Sequence, residues 1–227
     1  MKIDIAMVVT KSILSYAHYS IAPNADYAVR HGYGFHLFTT PSDERDPTWG
    51  KLEMAKRLLP DCDWLCVIDA DAVFIDVDRS LEEFTKTDGD LLACLNGPNG
   101  GRSLNAGAML LRSSAAMQAF LDTWYRAGEK YARVDYHEQE ALNDYFEKVP
   151  PEYRSIKVVP FPYDAFNSHW LDHQEGKWKE RFVLHMMTVP DGERTRFFEK
   201  LFGMRSSLGK STVANASAAV NGEGATR

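Results

Sequence analysis

The sequence predicts an α/β fold, a single domain in which helices flank a mixed, mostly parallel sheet. Short apolar runs of strand length alternate along the chain with segments of helical periodicity, and this alternation is typical of strands joined by crossover helices. The run over residues 64–68 is apolar at every position, as expected of a strand covered on both faces. With 227 residues, 44% of them hydrophobic, the chain can bury one sizeable core.

The predicted elements follow one another in a simple order. The strands are residues 2–10, 35–39, 64–68, 91–95, 108–111, 156–159 and 182–184, and the helices include 24–31, 49–59 and 137–146. Gly32 and Pro60 end the first two helices, because glycine closes a helix in the left-handed conformation and proline cannot continue one. A further helix is capped by Ser113 or Ser114 and carries one apolar stripe, formed by Met117, Phe120, Leu121 and Trp124.

Bulk properties exclude several classes of protein. A formal net charge of -6 and a pI of about 5.7 indicate no basic face for nucleic acid. The first residues are too short and mixed for a signal peptide, and no stretch approaches the roughly 18–20 apolar residues of a membrane span. Cys62, Cys66 and Cys94 form an odd and sparse set, which indicates buried, reduced thiols in a cytoplasmic protein.

From about residue 205 the sequence is small, polar and without period, which favours a disordered tail. We therefore expect a folded domain over residues 1–204 and a low-complexity tail over residues 205–227. Two strings in the tail resemble known motifs without their context. Gly209-Lys210-Ser211 has no strand leading into it, as a phosphate loop requires, and Asn215-Ala216-Ser217 needs a secretory route to be glycosylated.

The segment that follows the strand 64–68 carries the clearest chemical signal. Asp69, Ala70 and Asp71 come directly after the strand, and side chains alternate along an extended chain, so the two carboxylates point to the same side. They lie at the carboxyl end of a strand, where open α/β sheets bind ligands. Two hard oxygen ligands suit Mn²⁺ or Mg²⁺ bound to a diphosphate, and the alternative is a solvated acidic turn.

A phosphatase of the haloacid dehalogenase type also fits this segment. The string from Asp69 to Val73 matches the Asp-x-Asp-x-(Thr or Val) pattern of these Mg²⁺-dependent hydrolases, in which the first Asp is a nucleophile. The rest of the chain fits them less well. The acidic pair Asp88 and Asp90 precedes a strand instead of following one, and the string comes after two strand-helix units.

Six segments, in this order, resemble one family of retaining glycosyltransferases. They are residues 8–12, 26–33, 49–51 with the helix that follows, 63–76, 104–112 with 120–124, and 137–142, and the resemblance extends through Val159-Pro160 and Asn167-Ser168 to His185. The family includes xyloglucan xylosyltransferases, galactomannan galactosyltransferases and fungal α-mannosyltransferases. The resemblance covers roughly residues 3–190 and implies the GT-A fold, a Rossmann-like catalytic domain.

The resemblance also implies an activity. A hexose or pentose would pass from a nucleotide-diphosphate sugar, with a UDP-sugar favoured, to a glycan or other hydroxyl acceptor, with retention of anomeric configuration. A third class stays open beside the transferase and the phosphatase, a module that binds sugar nucleotides without turnover.

Individual residues receive roles from the same resemblance. Asp69, Asp71 and His185 would hold Mn²⁺ or Mg²⁺. The nucleotide and the donor sugar would contact Thr10, Ser12, Trp49, Lys51, Asp69, Ala70, Asn105, Ala106 and Gly107. Glu138 and Gln139 match the acidic-Gln pair beside the anomeric carbon, where Glu138 would position the sugar and the carbonyl of Gln139 would stabilise oxocarbenium-like charge.

Each of these residues has a structural explanation that the sequence leaves open. The alternatives are a capping turn for Thr10 and Ser12, core packing for Trp49, a solvated lysine for Lys51, a tight loop exit for residues 105–107, a glutamate favoured by the helix dipole for Glu138 and a satisfied histidine for His185. The chain departs from the family after His185, where an aromatic residue and then a glycine are common and this sequence has Met186, Met187 and Thr188.

Overall fold

The structure, a computed structural model, describes residues 1–39, 47–97, 103–131 and 137–203. Its strands are β1 (Ile3–Val8), β2 (Gly34–Phe38), β3 (Trp64–Ile68), β4 (Ala72–Phe74), β5 (Leu91–Leu95), β6 (Leu104–Arg112), β7 (Val158–Phe161) and β8 (Val183–His185). Six of them form the main sheet in the order β2-β1-β3-β6-β5-β7, and β4 and β8 form a separate two-stranded sheet.

Within the main sheet β6 is the strand that runs against its neighbours. It pairs antiparallel with β3 and with β5, whereas β1 pairs parallel with β2 and β3, and β5 pairs parallel with β7. The mixed, mostly parallel sheet predicted from the sequence is therefore confirmed. The carboxyl ends of the parallel strands meet at one edge, where a ligand site is expected.

Helices cover both faces of this sheet. They are α1 (Leu14–His31), α2 (Gly50–Leu58), α3 (Ala115–Arg126), α4 (Gly128–Tyr131), α5 (His137–Lys148), α6 (Trp170–Gln174) and α7 over residues 191–203. In the described part of the chain, none of these helices combines the length and the apolar character needed to cross a bilayer.

Local sequence signals account for several helix ends. Gly32 closes α1 with a φ of 71°, in the left-handed region that favours glycine. Ser114 caps α3, since its side chain accepts a hydrogen bond from the backbone N–H of Met117. The apolar stripe predicted for this helix is buried as a whole, at Met117, Phe120, Leu121 and Trp124.

Two elements begin several residues earlier than predicted. Helix α1 starts at Leu14 and runs through Pro23, ten residues before the predicted start at Asn24. Its first turns are held by burial of Tyr16 and Ser20, so tertiary packing offsets the lost hydrogen bond at the proline. Strand β6 starts at Leu104 instead of residue 108, so residues 105–107 lie within a strand and not before one.

The start of β6 escapes the sequence pattern because its pairing with β5 is irregular. Cys94 pairs with Asn105 while Ala93 pairs with Met109, so residues 106–108 bulge out of register with β5. They remain joined to the neighbouring strand, since Ala108 pairs with Ile68. A bulge of small residues has no alternating pattern to recognise.

The core consists of two hydrophobic clusters, one on each face of the main sheet. Trp64, Cys66 and Ile68 of β3 belong to one cluster, and Leu65 and Val67 to the other. This alternation explains why the strand is apolar at every position.

The three cysteines are free and buried, as predicted, and burial raises the pKa of each thiol to about 12. The predicted tail over residues 205–227, with its two motif-like strings, lies outside the described residues, so the domain boundary at residue 204 stays a prediction.

Candidate active site

Two acidic residues and a histidine converge beyond the carboxyl end of β3. Asp69 follows that strand, Asp71 precedes β4, and His185 ends β8. The antiparallel pairing of β4 with β8 sets Ala72 opposite His185, and the N–H of Met186 donates to the carbonyl of Asp71 at 3.0 Å. Backbone pairing therefore brings His185 beside the acidic segment from a distant part of the chain.

The geometry of this group fits a divalent cation. His185 Nε2 lies 3.4 Å from Asp71 Oδ1 and 3.9 Å from Asp69 Oδ2, and one ligand atom from each of the three residues lies within 4.8 Å of the others. Two carboxylates and a neutral imidazole are a donor set that first-row divalent metals accept. The predicted grouping is thus present, although the chain reaches it by a turn, with the N–H of Ala72 donating to the carbonyl of Asp69 at 3.0 Å, and not by the extended alternation predicted.

Neighbouring residues fix the orientation of His185. Its Nδ1 lies 3.2 Å from Asn167 Oδ1, and its backbone N–H donates to Ser168 Oγ at 2.6 Å. A Cβ added to Gly107 would lie 2.7 Å from both ring nitrogens, so only glycine leaves room for the imidazole. These contacts direct Nε2 to the two carboxylates, as in histidines that ligate metals.

Lys51 is buried against the acidic group, which contradicts the alternative of a solvated lysine. It is 5% exposed, and its Nζ lies 2.6 Å from Asp69 Oδ1 and 2.8 Å from Glu138 Oε1. Burial alone lowers the pKa of Lys51, but the two carboxylates outweigh it and raise that pKa above its ordinary value. Lys51 is therefore a permanent cation that ties α2 to β3 and α5.

Arg194 is a second cation at the site, and the sequence analysis missed it. Its Nη2 lies 3.1 Å from Asp71 Oδ2 and its Nη1 lies 3.0 Å from Asp191 Oδ1. Its Nε donates to the carbonyl of Met186 at 3.0 Å, and its guanidinium carbon lies 4.8 Å from the centre of the Tyr16 ring.

The surroundings move the pKa values of the two aspartates in opposite directions. Burial raises the pKa of Asp69, and the nearby Lys51 and His185 offset only part of this effect. Burial also acts on Asp71, but His185 and Arg194 outweigh it and lower the pKa of Asp71 to about 2. Asp71 is therefore ionised at neutral pH and available as an oxygen ligand.

Two cavities meet at this group. The first has a volume of about 370 Å³ and combines apolar and hydroxyl groups, among them Val8, Thr10, Ser12, Ile13, Tyr16 and Ala70. The second has a volume of about 300 Å³, and most of the residues that line it are polar, among them Asn96, Asn105, Glu138, Gln139, His169 and Thr188. Among the described residues, four line both cavities: Thr48, Asp69, Asp71 and Arg194.

Most of the predicted contact residues lie on these walls. Thr10 and Ser12 share a hydrogen bond between their hydroxyl oxygens at 2.9 Å, and Thr10 precedes a 3-10 turn without capping it. Asn105 accepts from Asn167 Nδ2 at 2.8 Å. Trp49 is 1% exposed within the core and lines neither cavity, so the structure supports its alternative explanation, core packing.

Ala106 and Gly107 lie behind the wall instead of on it. The carbonyl of Ala106 lies 3.4 Å from Lys51 Nζ, and its N–H donates to Gln139 Oε1 at 2.8 Å. The carbonyl of Gly107 accepts from the N–H of Asp69 at 2.8 Å. Both residues therefore position site residues through their backbone groups.

The start of α5 supplies the opposite wall. Glu138 is 4% exposed, and its backbone carbonyl accepts from Trp124 Nε1 at 2.8 Å. Its Oε1 contacts Lys51, whereas its buried Oε2 has no hydrogen-bond partner within the described residues. Gln139 directs its carbonyl oxygen to the N–H of Ala106, so one of the two lone pairs that its predicted role needs is already used.

The missed residues differ in how recognisable they were. Pro190 and Asp191 before an apolar set at Phe197, Phe198 and Leu201 are a helix-start signal, and this signal would have placed Arg194 on a helix. Tyr16 belongs to the part of α1 that lies before Pro23 and was missed with it.

Comparison with known proteins identifies a family. A family model described as the galactosyl transferase GMA12/MNN10 family matches residues 4–93 and 99–190. Two proteins of rice, each described as "Probable glycosyltransferase 6", from Oryza sativa subsp. indica and subsp. japonica, are 33% identical over 96 residues. Each match covers 37% of this chain and 20% of the rice protein, so the chain matches about a fifth of the length of these curated relatives.

Solved structures share the fold at low sequence identity. A glycosyltransferase involved in glycosylation of the major capsid of PBCV-1 has a TM-score of 0.69 at 16% identity, with 87% of this chain and 99% of that chain covered. The galactosyltransferase LgtC, solved with donor and acceptor sugar analogues, has a TM-score of 0.58 at 15% identity, with 88% and 95% covered. The apo-form glycosyltransferase GlyE of Streptococcus pneumoniae has a TM-score of 0.56 at 13% identity, with 83% and 55% covered.

Proposed function

Because the chain belongs to the galactosyl transferase GMA12/MNN10 family, we propose that it is a metal-dependent glycosyltransferase that moves a hexose or pentose from a nucleotide-diphosphate sugar to a glycan or other hydroxyl acceptor. The observation that carries this proposal is the group of Asp69, Asp71 and His185 at the junction of two cavities. A diphosphate bound at that junction would leave its nucleoside on one side and its sugar on the other.

The two cavities differ in the chemistry of their walls, as binding a nucleoside in one and a sugar in the other would require. The first offers apolar surface at Val8, Ile13 and Tyr16 and hydroxyls at Thr10 and Ser12, which suits a base and a ribose, and a UDP-sugar is the favoured donor. The second is lined mainly by amide, carboxylate and imidazole groups, which suit sugar hydroxyls. Retention is proposed from the family, with the acceptor attacking the face from which the diphosphate leaves.

The proposed chemistry divides among few residues. Asp69, Asp71 and His185 would hold Mn²⁺ or Mg²⁺, which when bound supplies a Lewis acid for the leaving diphosphate. Glu138 would accept a hydrogen bond from a sugar hydroxyl through its Oε2, which has no partner among the described residues. The carbonyl of Gln139, which is held by the N–H of Ala106, would stabilise positive charge that develops at the anomeric carbon.

The phosphatase alternative has less support. Asp88 pairs with Lys157 on the surface, and Asp90 accepts from the backbone of the same lysine. This pair lies before β5, away from Asp69 and Asp71. Neither carboxylate lines the two cavities. A non-catalytic binding module would share the metal group and the cavities, so turnover is the measurement that separates it from a transferase.

Thermal unfolding with a panel of UDP- and GDP-sugars, each with and without Mn²⁺, tests the proposal. A ligand that binds only the folded state raises the unfolding midpoint by mass action, so we expect a shift that needs one nucleotide and the metal together. The sugar that gives this shift then enters a transfer assay with candidate glycans, and the anomeric configuration of the product is read by NMR.

Asp71→Asn and Asp88→Asn form a matched pair for this assay. Each replaces one carboxylate, but only Asp71 belongs to the metal group. We expect Asp71→Asn to abolish the metal-dependent shift and to lower transfer by about 10²-fold or more, and Asp88→Asn to leave both unchanged. Undiminished transfer by Asp71→Asn at saturating metal would show the metal assignment to be wrong.

A further inference from the structure

Arg194 is in a position that no role derived so far explains. Its side chain is 14% exposed and lines both cavities at their junction. Among the residues that the structure describes, Lys51 and Arg194 are the only lysine and arginine on the walls of these two cavities. A bound diphosphate would bring two phosphate groups to this junction.

Lys51 has little capacity left for such a ligand. Its ammonium group has three N–H donors, and these face Asp69 at 2.6 Å, Glu138 at 2.8 Å and the carbonyl of Ala106 at 3.4 Å. If the ammonium group moved to a phosphate, the carboxylates of Asp69 and Glu138 would lose the cation that neutralises them at a buried site, which is costly in free energy. Lys51 therefore neutralises the acidic wall instead of the ligand.

Arg194 keeps donors available. A guanidinium has five N–H donors, and the contacts with Asp71, Asp191 and the carbonyl of Met186 use one on each nitrogen. One N–H on each terminal nitrogen therefore has no contact among the described residues. The planar fork suits two phosphate oxygens.

We propose that Arg194 binds the diphosphate of the donor directly, as the cation that bridges the two cavities. This inference rests on the proposed function, since it takes the nucleotide-diphosphate sugar as the ligand. The contacts with Asp71 and Asp191 hold the guanidinium at the junction before the ligand binds. The ring of Tyr16 packs against one face of the guanidinium, with its centre 4.8 Å from the guanidinium carbon. Preorganisation of this kind lowers the entropic cost of binding.

Calorimetric titration of Arg194→Met with UDP and uridine, and in parallel with GDP and guanosine, tests this at saturating Mn²⁺. We expect the nucleoside diphosphate that binds the wild type to bind the variant roughly 10- to 100-fold more weakly, and the matching nucleoside to bind equally well. Mn²⁺ alone should bind the variant at least as tightly as it binds the wild type, because the substitution removes a positive charge 3.1 Å from Asp71.

Arg112→Met is the matched control. Arg112 lies at the far end of β6, 5.3 Å over the ring of Trp64, and its loss should leave diphosphate affinity unchanged. If Arg194→Met does not fold, Arg194→Lys replaces it. That variant keeps the charge without the fork, and we expect it to bind the diphosphate at least about threefold more weakly, with nucleoside affinity unchanged.

Several results would overturn the inference. Wild-type diphosphate affinity in a folded Arg194 variant would exclude the contact. Equal losses for diphosphate and nucleoside would mean that Arg194 shapes the cavity, and a parallel loss of Mn²⁺ affinity would mean that it acts through the metal ligands. A wild type that binds neither UDP nor GDP would instead overturn the proposed function, and this inference with it.

Discussion

Substituting Gly107 by alanine tests whether the room left for His185 determines metal binding. The added Cβ would lie 2.0 Å from His185 Cε1 and 2.7 Å from both ring nitrogens, where ordinary contacts begin at 3.4 Å, so the nearest ring atom must move by at least ~1.4 Å in a close-packed interior. His185 is 3% exposed and is held by Asn167 and Ser168, so the imidazole cannot escape the clash by moving into solvent.

The structure sets the size of the effect. Overpacking of a buried site costs about 1–3 kcal/mol, and a domain of this size loses ~2–4 °C in unfolding midpoint per kcal/mol, so we expect the midpoint to fall by about 2–12 °C. Loss of a partner that only orients a ligand already weakens metal binding 10- to 100-fold or so. Displacing the ligand itself should weaken it at least as much, and calorimetric titration with Mn²⁺ measures this.

Two further variants decide whether the cause is the clash with His185. Gly192→Ala is the control, since its added Cβ meets nothing within 4 Å, and we expect no loss of stability or Mn²⁺ affinity. In a His185→Ala background the clash is absent, so Gly107→Ala should cost less than about 0.5 kcal/mol there. A Gly107→Ala protein with wild-type midpoint and Mn²⁺ affinity, or an equal cost in both backgrounds, would refute the reasoning.

Two other predictions concern stability. Asn24 is fully buried; its side chain donates to the carbonyl of Ala72 at 2.9 Å and accepts from the N–H of Phe74 at 3.1 Å. Asn24→Ala leaves both backbone groups without a hydrogen-bond partner, so it should lower the free energy of unfolding, measured in urea, by about 2–4 kcal/mol. A loss below about 1 kcal/mol would contradict this. The ion pair with Lys148 at 2.5 Å holds the pKa of Asp144 at about 2, below its unfolded value of about 3.9. Its stabilisation is therefore present at neutral pH, declines as the pH falls below about 4 and is lost only below the folded pKa of about 2. Asp144→Asn should be less stable than the wild type at pH 7, and most of this difference should disappear by pH 2; a difference at pH 2 as large as the one at pH 7 would point to another cause.

Elements with dense local signals were predictable from the sequence. The strands over residues 64–68 and 91–95 have the bounds predicted, because burial on both faces makes every residue apolar. Helix α3 followed from its cap and its stripe. Here the local pattern and the tertiary environment impose the same requirement on each residue.

Elements whose stability comes from distant partners were not predictable in this way. Strand β4 has three residues, and its conformation depends on pairing with β8 and on Asn24 of α1. Helix α7 has a local start signal, but Arg194 on it is recognisable as a site residue only when Asp71 lies beside it. Long-range pairing of this kind leaves no periodic trace in the sequence.

The residues of the candidate site also differ in whether a local sequence signal reveals them. Asp69 and Asp71 stood out locally, as two carboxylates after a buried strand. His185 came from family resemblance alone, because a single histidine after a strand carries no specific signal. The burial of Lys51 between Asp69 and Glu138 depends on three elements at once, and the sequence left a solvated lysine open as an alternative. The roles assigned to these residues, and the cytoplasmic location, stay predictions.

The pairing of β4 with β8 means that the three ligand separations are not equally adjustable. Asp71 and His185 flank one hydrogen-bonded ribbon, joined by the bond from Met186 to Asp71, so their separation is nearly fixed. Asp69 directly follows β3 of the main sheet and donates its N–H to the carbonyl of Gly107, so its position is set mainly by the main sheet. An ion held by all three would therefore cross-link the ribbon and the main sheet, and Asn24 of α1, which bonds Ala72 and Phe74, fixes the ribbon in place on the other side of that link.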